Sequence, residues 1–396
     1  MNAPDLFDTL LRLHGAESLG REYLFVRLAR INIAGHVDYS EISRILSSIR
    51  RRSQWFAVWM EASARHESLA RTAETMGATA SAADGYLRAA LCAHWSTLYS
   101  SDAEHHRGHS RSLELYRAGS SWFEPPAERH EVPFEGDALP GYLRRPAGVD
   151  HPHLVVMIGG ADTNKEELHY WGTQFTRRGL AVFAFDGPGQ GEHAARYGRL
   201  LMRFDRFHLA VAAVFDWASS LPGIETDGFG VFGNSLGGYL ALDAALRDAR
   251  VKAVISNGGF CDAASAATWP PGVFRAFASC VGMKDPDAIL GYLRDHLDLA
   301  AVAGDNHPPA LVVHGGLEDL ADEAESQRAA DAVGGTLFVI EDAFHTATNR
   351  DHLASPVFGD WMSLALAGRR EVPRTVHARD ERDYAALLQS PPEPSG

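Results

Sequence analysis

The chain reads FGVFGNSLGGYLALDAAL over residues 229–246, and this stretch decides the fold. The apolar run FGVF predicts a short buried strand, and the run LGGYLALDAAL predicts a helix close behind it. The turn between them has the G-x-S-x-G pattern of a nucleophile elbow, centred on Ser235, where small neighbours let the backbone hold serine in a strained conformation. The same pattern also occurs as an ordinary glycine-rich turn. Its place between a strand and a helix nevertheless makes Ser235 the candidate nucleophile.

Strands and helices alternate on both sides of this turn. After Pro125 the chain contains short β-type runs separated by helical segments, and most of the later runs are continuously apolar, as in strands covered on both faces. Such alternation implies right-handed crossovers and a mostly parallel, eight-stranded sheet with flanking helices, which is an α/β fold. The predicted strands cover residues 130–134, 141–144, 153–158, 181–185, 228–232, 253–256, 310–313 and 336–340.

The first part of the chain has a different pattern. Between about residues 18 and 116, apolar residues recur at three- and four-residue spacing, which predicts a bundle of about four or five helices. We therefore expect an N-terminal helical cap domain over 1–124 and a catalytic domain over 125–368. The catalytic domain should contain a helical insertion at 260–303, because this stretch is too long for a simple crossover. Residues 369–396 are expected to form a C-terminal tail.

The composition is that of a globular protein of 396 residues, 45% apolar and 22% charged. There are 37 basic against 51 acidic residues, a net charge of -14, so neither nucleic acid nor a membrane is an expected partner. No apolar run approaches the ~20 residues that span a bilayer, and acids stand where a signal peptide is basic. The three scattered cysteines, Cys92, Cys261 and Cys280, agree with a reducing compartment. We expect a cytoplasmic protein.

No cofactor or metal site is indicated by the sequence. The run DGPGQGE at residues 186–192 follows a predicted strand, but it lacks the Gly-Lys-Ser/Thr ending of a phosphate loop. His105, His106 and His109 have no carboxylate or cysteine partner at ligand spacing, which favours a solvated polar segment over a metal site. The expected partner is a small-molecule substrate.

A serine nucleophile needs a base, and on this type of fold the acid and the histidine follow the serine along the chain. His345 comes just after the last predicted strand, where the general base belongs. The preceding predicted strand runs into HGGLED at residues 314–319, where two carboxylates, Glu318 and Asp319, compete for the role of the acid.

Two main-chain amides are expected to stabilise an oxyanion beside Ser235. One is the amide of Leu236, because it opens the helix after the serine and helix N-termini point their N–H groups outward. The other is expected in the glycine-rich loop after the strand HLVVMI, where Gly159 and Gly160 permit a close backbone approach and Ala161 is the expected donor.

Five motifs resemble those of one α/β-hydrolase family: IGGADTNKEE, FDGPGQGE, GNSLGG, HGGLED and FHTATNRDHLASPVFGDWM. This family includes 2,6-dihydroxypseudooxynicotine hydrolase, the FrsA-like esterases and the fungal polyketide-shortening hydrolases of pigment pathways. The resemblance covers nearly the whole chain and implies an α/β-hydrolase fold with Ser235 as nucleophile and His345 as base. The His-Gly-x-x-Asp register of this fold favours Glu318 over Asp319, although the family's acid is typically Asp.

The resemblance also implies a reaction, since several members of the family cleave a carbon–carbon bond next to a ketone. The first hypothesis is therefore a C–C bond hydrolase for an aromatic or polyketide-like ketone. The second is a carboxylesterase or thioesterase with the same triad, and the third is a non-catalytic ligand-binding protein. We also expect the N-terminal helices to form part of the active-site wall, because binding sites prefer domain interfaces. Their aromatic residues favour a homodimer over a monomer.

Overall fold

The computed structural model describes residues 25–34, 36–197, 201–302, 304, 306–369 and 374–388. The chain divides into two compact units at residue 128. Among the described residues, no helix is both long enough and apolar enough to cross a membrane.

The first unit is helical, as the spacing of its apolar residues predicts. Trp55 and Trp59 lie one turn apart and are both buried, and the indole N–H of Trp55 donates a hydrogen bond to the main-chain carbonyl of Trp95 at 2.9 Å. Asp38 caps the second helix by accepting from the Glu41 N–H at 3.0 Å. The described helices are α1 (Phe25–Ile33), α2 (Tyr39–Ser48), α3 (Trp55–Thr75), α4 (Thr79–Trp95) and α5 (Asp102–Gly119).

The second unit is built on one sheet. Its strands are β1 (Ala127–Phe134), β2 (Asp137–Arg144), β3 (Leu154–Ile158), β4 (Ala181–Phe185), β5 (Phe229–Asn234), β6 (Val251–Asn257), β7 (Ala310–Gly315), β8 (Thr336–Ile340) and β9 (Thr375–Ala378). Within the described chain their order across the sheet is β1-β2-β4-β3-β5-β6-β7-β8-β9. Strands β3 to β9 run parallel, and β2 pairs with β4 in the antiparallel sense. The predicted α/β fold with a mostly parallel sheet is confirmed.

The sheet has one strand more than the eight that the sequence predicts. The additional strand is β9, which lies in the segment expected to form a C-terminal tail and pairs in parallel with β8. It is only four residues long, and of these only Ala378 is buried. A short edge strand of this kind is held by main-chain hydrogen bonds and leaves no apolar run in the sequence, which explains why the pattern missed it.

Helices flank the sheet, and the strands at its centre are buried along their whole length. Every residue of β3, β4, β5, β7 and β8 is buried, as the continuous apolar runs predict. The helices of this unit are α6 (His169–Thr176), α7 (Gly191–Arg196), α8 (Phe207–Ser219), α9 (Leu236–Arg247), α10 (Pro271–Val281), α11 (Pro286–His296), α12 (Glu323–Val333), α13 (Asp351–Leu366) and α14 (Glu381–Leu388).

The segment predicted as a helical insertion, residues 260–303, contains α10 and α11. It is joined to the core by aromatic side chains, because the rings of Phe260, Trp269 and Phe277 contact one another with centroids 4.7–6.1 Å apart. All three belong to the buried apolar cluster that also includes the strands of the sheet. Their burial fixes this segment against the rest of the unit.

Candidate active site

Ser235 stands alone at the turn between β5 and α9, since the strand ends at Asn234 and the helix begins at Leu236. Its backbone has φ 55° and ψ -123°, and a residue with a side chain rarely adopts a positive φ. Two hydrogen bonds hold it there: its N–H donates to the Asn257 carbonyl at 2.8 Å, and its carbonyl accepts from the Gly238 N–H at 2.7 Å. Such strain persists only where the surroundings impose it. The turn has the strand-to-helix geometry of a nucleophile elbow.

Two glycines permit the close approaches that this turn requires. A Cβ atom on Gly233 would lie 1.9 Å from the main-chain oxygen of Gly237, so any side chain there would push the helix away from the strand. Gly160, in the loop after β3, lies against the serine, because a Cβ atom on it would be 3.2 Å from the Ser235 Cβ. The loop that carries Ala161 therefore passes directly beside Ser235.

The two predicted oxyanion residues flank the serine. Leu236 is the first residue of α9, where main-chain N–H groups have no acceptor within the helix. Ala161 follows Gly160 in the neighbouring loop, and its carbonyl accepts a hydrogen bond from the Cys280 thiol at 3.3 Å. The structure thus brings Ala161 and Leu236 to the same end of the sheet as Ser235.

His345 lies in the loop after β8, and its ring is bonded to Glu318. The distance between His345 Nδ1 and Glu318 Oε2 is 2.7 Å. The other carboxylate oxygen of Glu318 accepts from the main-chain N–H groups of Asp319 and Leu320, at 3.1 and 3.0 Å. The side chain of Glu318 is only 2% exposed, whereas Asp319 is an exposed residue. Of the two predicted acids, Glu318 is therefore the one bonded to His345.

Main-chain hydrogen bonds join the loop of the acid to the loop of the histidine. The Leu317 N–H donates to the Ala343 carbonyl at 2.9 Å, and the Gly316 N–H donates to the Ile340 carbonyl at 2.8 Å. Glu318 itself begins on a tight turn, because its N–H donates to the Gly315 carbonyl at 2.8 Å. The longer side chain of glutamate is accommodated because its carboxylate folds back onto the main chain of this turn.

The pairing with Glu318 sets the protonation of His345. Burial alone would lower the pKa of this imidazole, but the charge and the hydrogen bond of Glu318 outweigh burial and raise the pKa above its usual value. With its Nδ1 proton donated to Glu318, the neutral ring presents the lone pair of Nε2 as a proton acceptor. The arrangement can therefore act as a general base and hold a proton afterwards.

Asn257, at the end of β6, connects the serine turn to the histidine loop. Its side-chain Nδ2 donates to Asn234 Oδ1 at 2.8 Å and to the carbonyl of Thr346 at 3.0 Å. Asn257 is fully buried, and Thr346 and Ala347 both have positive φ, at 59° and 53°. Sequence reasoning missed this residue. The signal was a polar asparagine that ends the apolar run AVIS and directly precedes two glycines.

A buried charge cluster joins the loops after β3 and β4. Lys165 Nζ lies 2.8 Å from a carboxylate oxygen of each of Glu166, Asp186 and Glu192, and its exposure is close to zero. Burial would lower the pKa of Lys165, but the three carboxylates outweigh it and raise that pKa, whereas burial raises the pKa of Glu166. The Lys165 main-chain N–H also donates to Asp186 at 2.9 Å. Sequence reasoning noticed the KEE and DGPGQGE motifs but not that they meet.

The three cysteines give no rival to Ser235 as nucleophile. The three cysteines are free and buried, and burial raises the pKa of Cys261 to about 11 and that of Cys280 to about 12, so both are thiols at neutral pH. Within the described ranges, no group of three His, Cys, Asp or Glu side chains could hold a metal ion. The histidines of the 105–109 segment lie on α5 in the first unit.

Known proteins share this sequence in part. A family model described as serine aminopeptidase, S33, matches residues 150–288, a range that contains Ser235 but ends before Glu318 and His345. The 2,6-dihydropseudooxynicotine hydrolase of Paenarthrobacter nicotinovorans is 37% identical over 208 residues, which make up 52% of this chain and 56% of the relative. The 20-hydroxy-prefusarin hydrolase of Gibberella moniliformis is 33% identical over 228 residues, 52% of each chain.

The structural likeness extends further along the chain than the sequence likeness. The crystal structure of the 2,6-dihydroxy-pseudo-oxynicotine hydrolase matches with a TM-score of 0.80 and 29% identity, over 87% of this chain and 97% of that one. The sequence matches, in contrast, span about half the length of the curated relatives. The architecture is therefore shared over most of the chain.

Proposed function

Because the chain has an α/β-hydrolase fold and resembles small-molecule hydrolases in sequence, we propose that it is a serine hydrolase that cleaves a carbon–carbon bond next to a ketone in an aromatic or polyketide-like small molecule. The observation that carries this proposal is the 2.7 Å hydrogen bond between His345 and Glu318. Asn257 connects the loop of this histidine to the strained Ser235, because its side chain donates to the Thr346 carbonyl and its own carbonyl accepts from the Ser235 N–H. The names of the two relatives support a small organic substrate, and the family resemblance supports C–C cleavage.

The first chemical step uses the three residues as nucleophile, base and acid. Ser235 Oγ attacks the ketone carbon while His345 Nε2 takes the hydroxyl proton, and Glu318 stabilises the imidazolium that forms. The carbonyl electrons move onto oxygen, where the amides of Ala161 and Leu236 stabilise the charge. This step is common to ketone, ester and thioester substrates.

The second step differs between these substrates because a carbon leaving group must be protonated as it departs. The electron pair of the C–C bond goes to the leaving carbon, and the imidazolium of His345 supplies its proton. Water then attacks the acyl-serine with His345 as base, which releases a carboxylic acid and restores Ser235. Such a bond breaks readily only when the departing carbon belongs to an electron-rich arene or to an enolisable position.

Two isomeric substrates test the proposal. Both 2-acetylresorcinol and resorcinol monoacetate give acetate and resorcinol, the first by C–C cleavage and the second by ester cleavage. In heavy-oxygen water the acetate should carry the label in both reactions. In deuterium oxide, resorcinol from the ketone should carry one deuterium on carbon, and resorcinol from the ester should carry none. Resorcinol incubated alone with the enzyme measures background exchange.

The outcomes separate the three hypotheses about function. Turnover of the ketone with deuterium on carbon supports a C–C hydrolase. Turnover of the ester alone would make the protein an esterase with the same residues. Turnover of neither compound, together with no labelling of Ser235 by a fluorophosphonate, would indicate a non-catalytic binding protein.

A further inference from the structure

Gln190, in the loop after β4, reaches across to the loop beside Ser235. Its side-chain Nε2 donates to the carbonyl of Gly159 at 2.7 Å and contacts the carbonyl of Gly160 at 3.4 Å. Its Oε1 accepts from the Gly187 N–H at 3.1 Å, so the amide is held by its own loop at one end. Gln190 is 2% exposed. One buried side chain thus bonds to main-chain groups of both loops.

The Gly160 carbonyl has a direct geometric relation to the proposed oxyanion donor. This carbonyl and the N–H of Ala161 belong to one planar peptide unit, and the bond is trans, so the two groups point in opposite directions. A donor that holds the carbonyl on one side therefore directs the N–H to the other. Gly160 also lies against Ser235, because a Cβ atom on Gly160 would be 3.2 Å from the Ser235 Cβ. Gln190 Nε2 and the main-chain N–H of Thr163 both lie 3.4 Å from this carbonyl, and the shorter Gln190 bond, at 2.7 Å, holds the Gly159 carbonyl of the preceding peptide.

The loop after β4 is itself held rigidly, which makes Gln190 an effective anchor. The Asp186 carboxylate accepts hydrogen bonds from the main-chain N–H groups of Lys165 and Glu192, both at 2.9 Å. It also accepts a hydrogen bond from the Lys165 ammonium. These bonds fix both ends of the segment that contains Gln190. A rigid donor holds a peptide in one orientation at less entropic cost than a mobile one.

We propose that Gln190 is a positioning residue for the oxyanion hole, which holds the Gly159 and Gly160 carbonyls so that the N–H of Ala161 faces the substrate oxygen. The inference rests on the proposed function, because it needs Ser235 to add to a carbonyl. A glutamine suits the role because one amide both accepts from Gly187 and donates to the neighbouring loop.

The test replaces the amide and measures the oxyanion directly. Trifluoroacetophenone is the probe, since Ser235 adds to its ketone: the Oγ–C bond forms, the carbonyl electrons move to oxygen, and the hydroxyl proton goes to His345. Fluorine NMR reports the adduct and its ionisation. Acetophenone, which adds poorly, measures binding of the same ring without an oxyanion. The variants are Gln190→Met and, as a second apolar replacement, Gln190→Leu.

The expected effect lies in the ratio of the two affinities within each variant. Removing an oxyanion donor outright costs about a hundredfold to a thousandfold in rate. Misdirecting one should therefore weaken the binding of trifluoroacetophenone by about tenfold to a hundredfold. Acetophenone binding should stay unchanged, and the bound adduct should ionise at a higher pH than in the wild type. This change in ionisation is one that a merely structural role would not produce.

Asn306→Leu is the matched control. Its Nδ2 also donates to main-chain carbonyls, those of Ala245 at 2.8 Å and Asp248 at 2.9 Å, which lie at the other end of α9 from Ser235. This variant should leave the ratio unchanged. The inference is overturned if the Gln190 variants lose affinity equally for trifluoroacetophenone and acetophenone, or if they lose affinity for neither. Absence of an adduct in the wild type contradicts the proposed function itself.

Discussion

The two sides of the candidate site are held by different forces. On one side, the loops after β5, β7 and β8 carry Ser235, Glu318 and His345, and hydrogen bonds to the main chain join these loops. On the other side, the loops after β3 and β4 are joined by Lys165 and its three buried carboxylates. Main-chain bonds survive the replacement of a side chain, whereas a buried ion that loses its partner is strongly destabilising. The first side should therefore lose activity when mutated, and the second should lose stability.

The largest effect is expected from Ser235→Ala. Without the nucleophile, turnover should fall by about ten-thousandfold or more, because only binding and the oxyanion hole would remain. The fold should be kept, since the hydrogen bonds that hold this turn involve the main chain of residue 235. The measurement is kcat on the better of the two resorcinol substrates, together with the melting temperature. More than a few per cent residual activity would contradict the assignment of the nucleophile.

Replacing the two neighbouring acids comes next in size. Glu318→Gln should lower kcat by up to about ten-thousandfold, because His345 loses the carboxylate that orients it and stabilises its charge. Asp319→Asn is the matched control, since the same chemical change falls on an exposed side chain that is not the hydrogen-bond partner of His345 Nδ1, and it should lower kcat by less than about threefold. Equal losses in the two variants would show that the bond to His345 does not matter for the reaction.

The same pair of variants should differ in pH dependence. The raised pKa of His345 means that kcat/KM in the wild type falls as the pH drops through a value above 6.5, because the base becomes protonated. Among the groups that raise this pKa, Glu318 contributes most and Asp319 and Asp162 less, so Glu318→Gln should move the acid limb to lower pH while the maximum falls. Asp319→Asn should shift it little. If the acid limb of kcat/KM does not move in Glu318→Gln, the group that titrates is not His345.

The same contrast explains what the sequence could predict. The serine turn is encoded within the 18 residues 229–246, so FGVF, the glycines and the following helix were enough to place Ser235. The position of His345 followed from strand order. The choice between Glu318 and Asp319 depended on how one tight turn folds back on itself, and the family register favoured the residue that is bonded. Strand β9 was missed because it is short and half-exposed.

The buried cluster could not be predicted from pattern, because its members follow two strands that only the sheet order brings together. Lys165 and Glu166 follow β3, and Asp186 and Glu192 follow β4, the neighbouring strand. A charged run such as KEE normally indicates a solvated surface. In this protein the run is buried, and its lysine is paired with carboxylates that follow both strands.

On the charge-held side, Lys165→Met should lower the free energy of unfolding by about 3–5 kcal/mol, because three buried carboxylates lose their shared cation. Lys252→Met is the matched control: this lysine is exposed and its ammonium donates to the Ala249 carbonyl at 3.2 Å, and its loss should change stability by less than about 0.5 kcal/mol. Urea unfolding of both variants is the measurement. Similar stabilities for the two would mean that the cluster does not hold the loops together.

The smallest effect is expected from Asn257, which belongs to the side held by main-chain bonds but acts through its side chain. Asn257→Leu keeps the branched shape and removes the N–H groups that bond to Asn234 and Thr346, which should cost about 1–3 kcal/mol of stability because the Asn234 acceptor is left buried and that of Thr346 partly buried. The loss of kcat should be greater than stability alone explains, since the backbone of the His345 loop is strained at Thr346 and needs this anchor.

A double-mutant cycle with Asn234→Leu separates the two bonds. A coupling in stability of about 1 kcal/mol assigns that energy to the bond with Asn234, and a kcat loss that appears only with Asn257→Leu assigns the catalytic effect to the histidine loop. If Asn234→Leu lowers kcat as much as Asn257→Leu does, then Asn257 supports catalysis through the serine turn and not through the histidine loop.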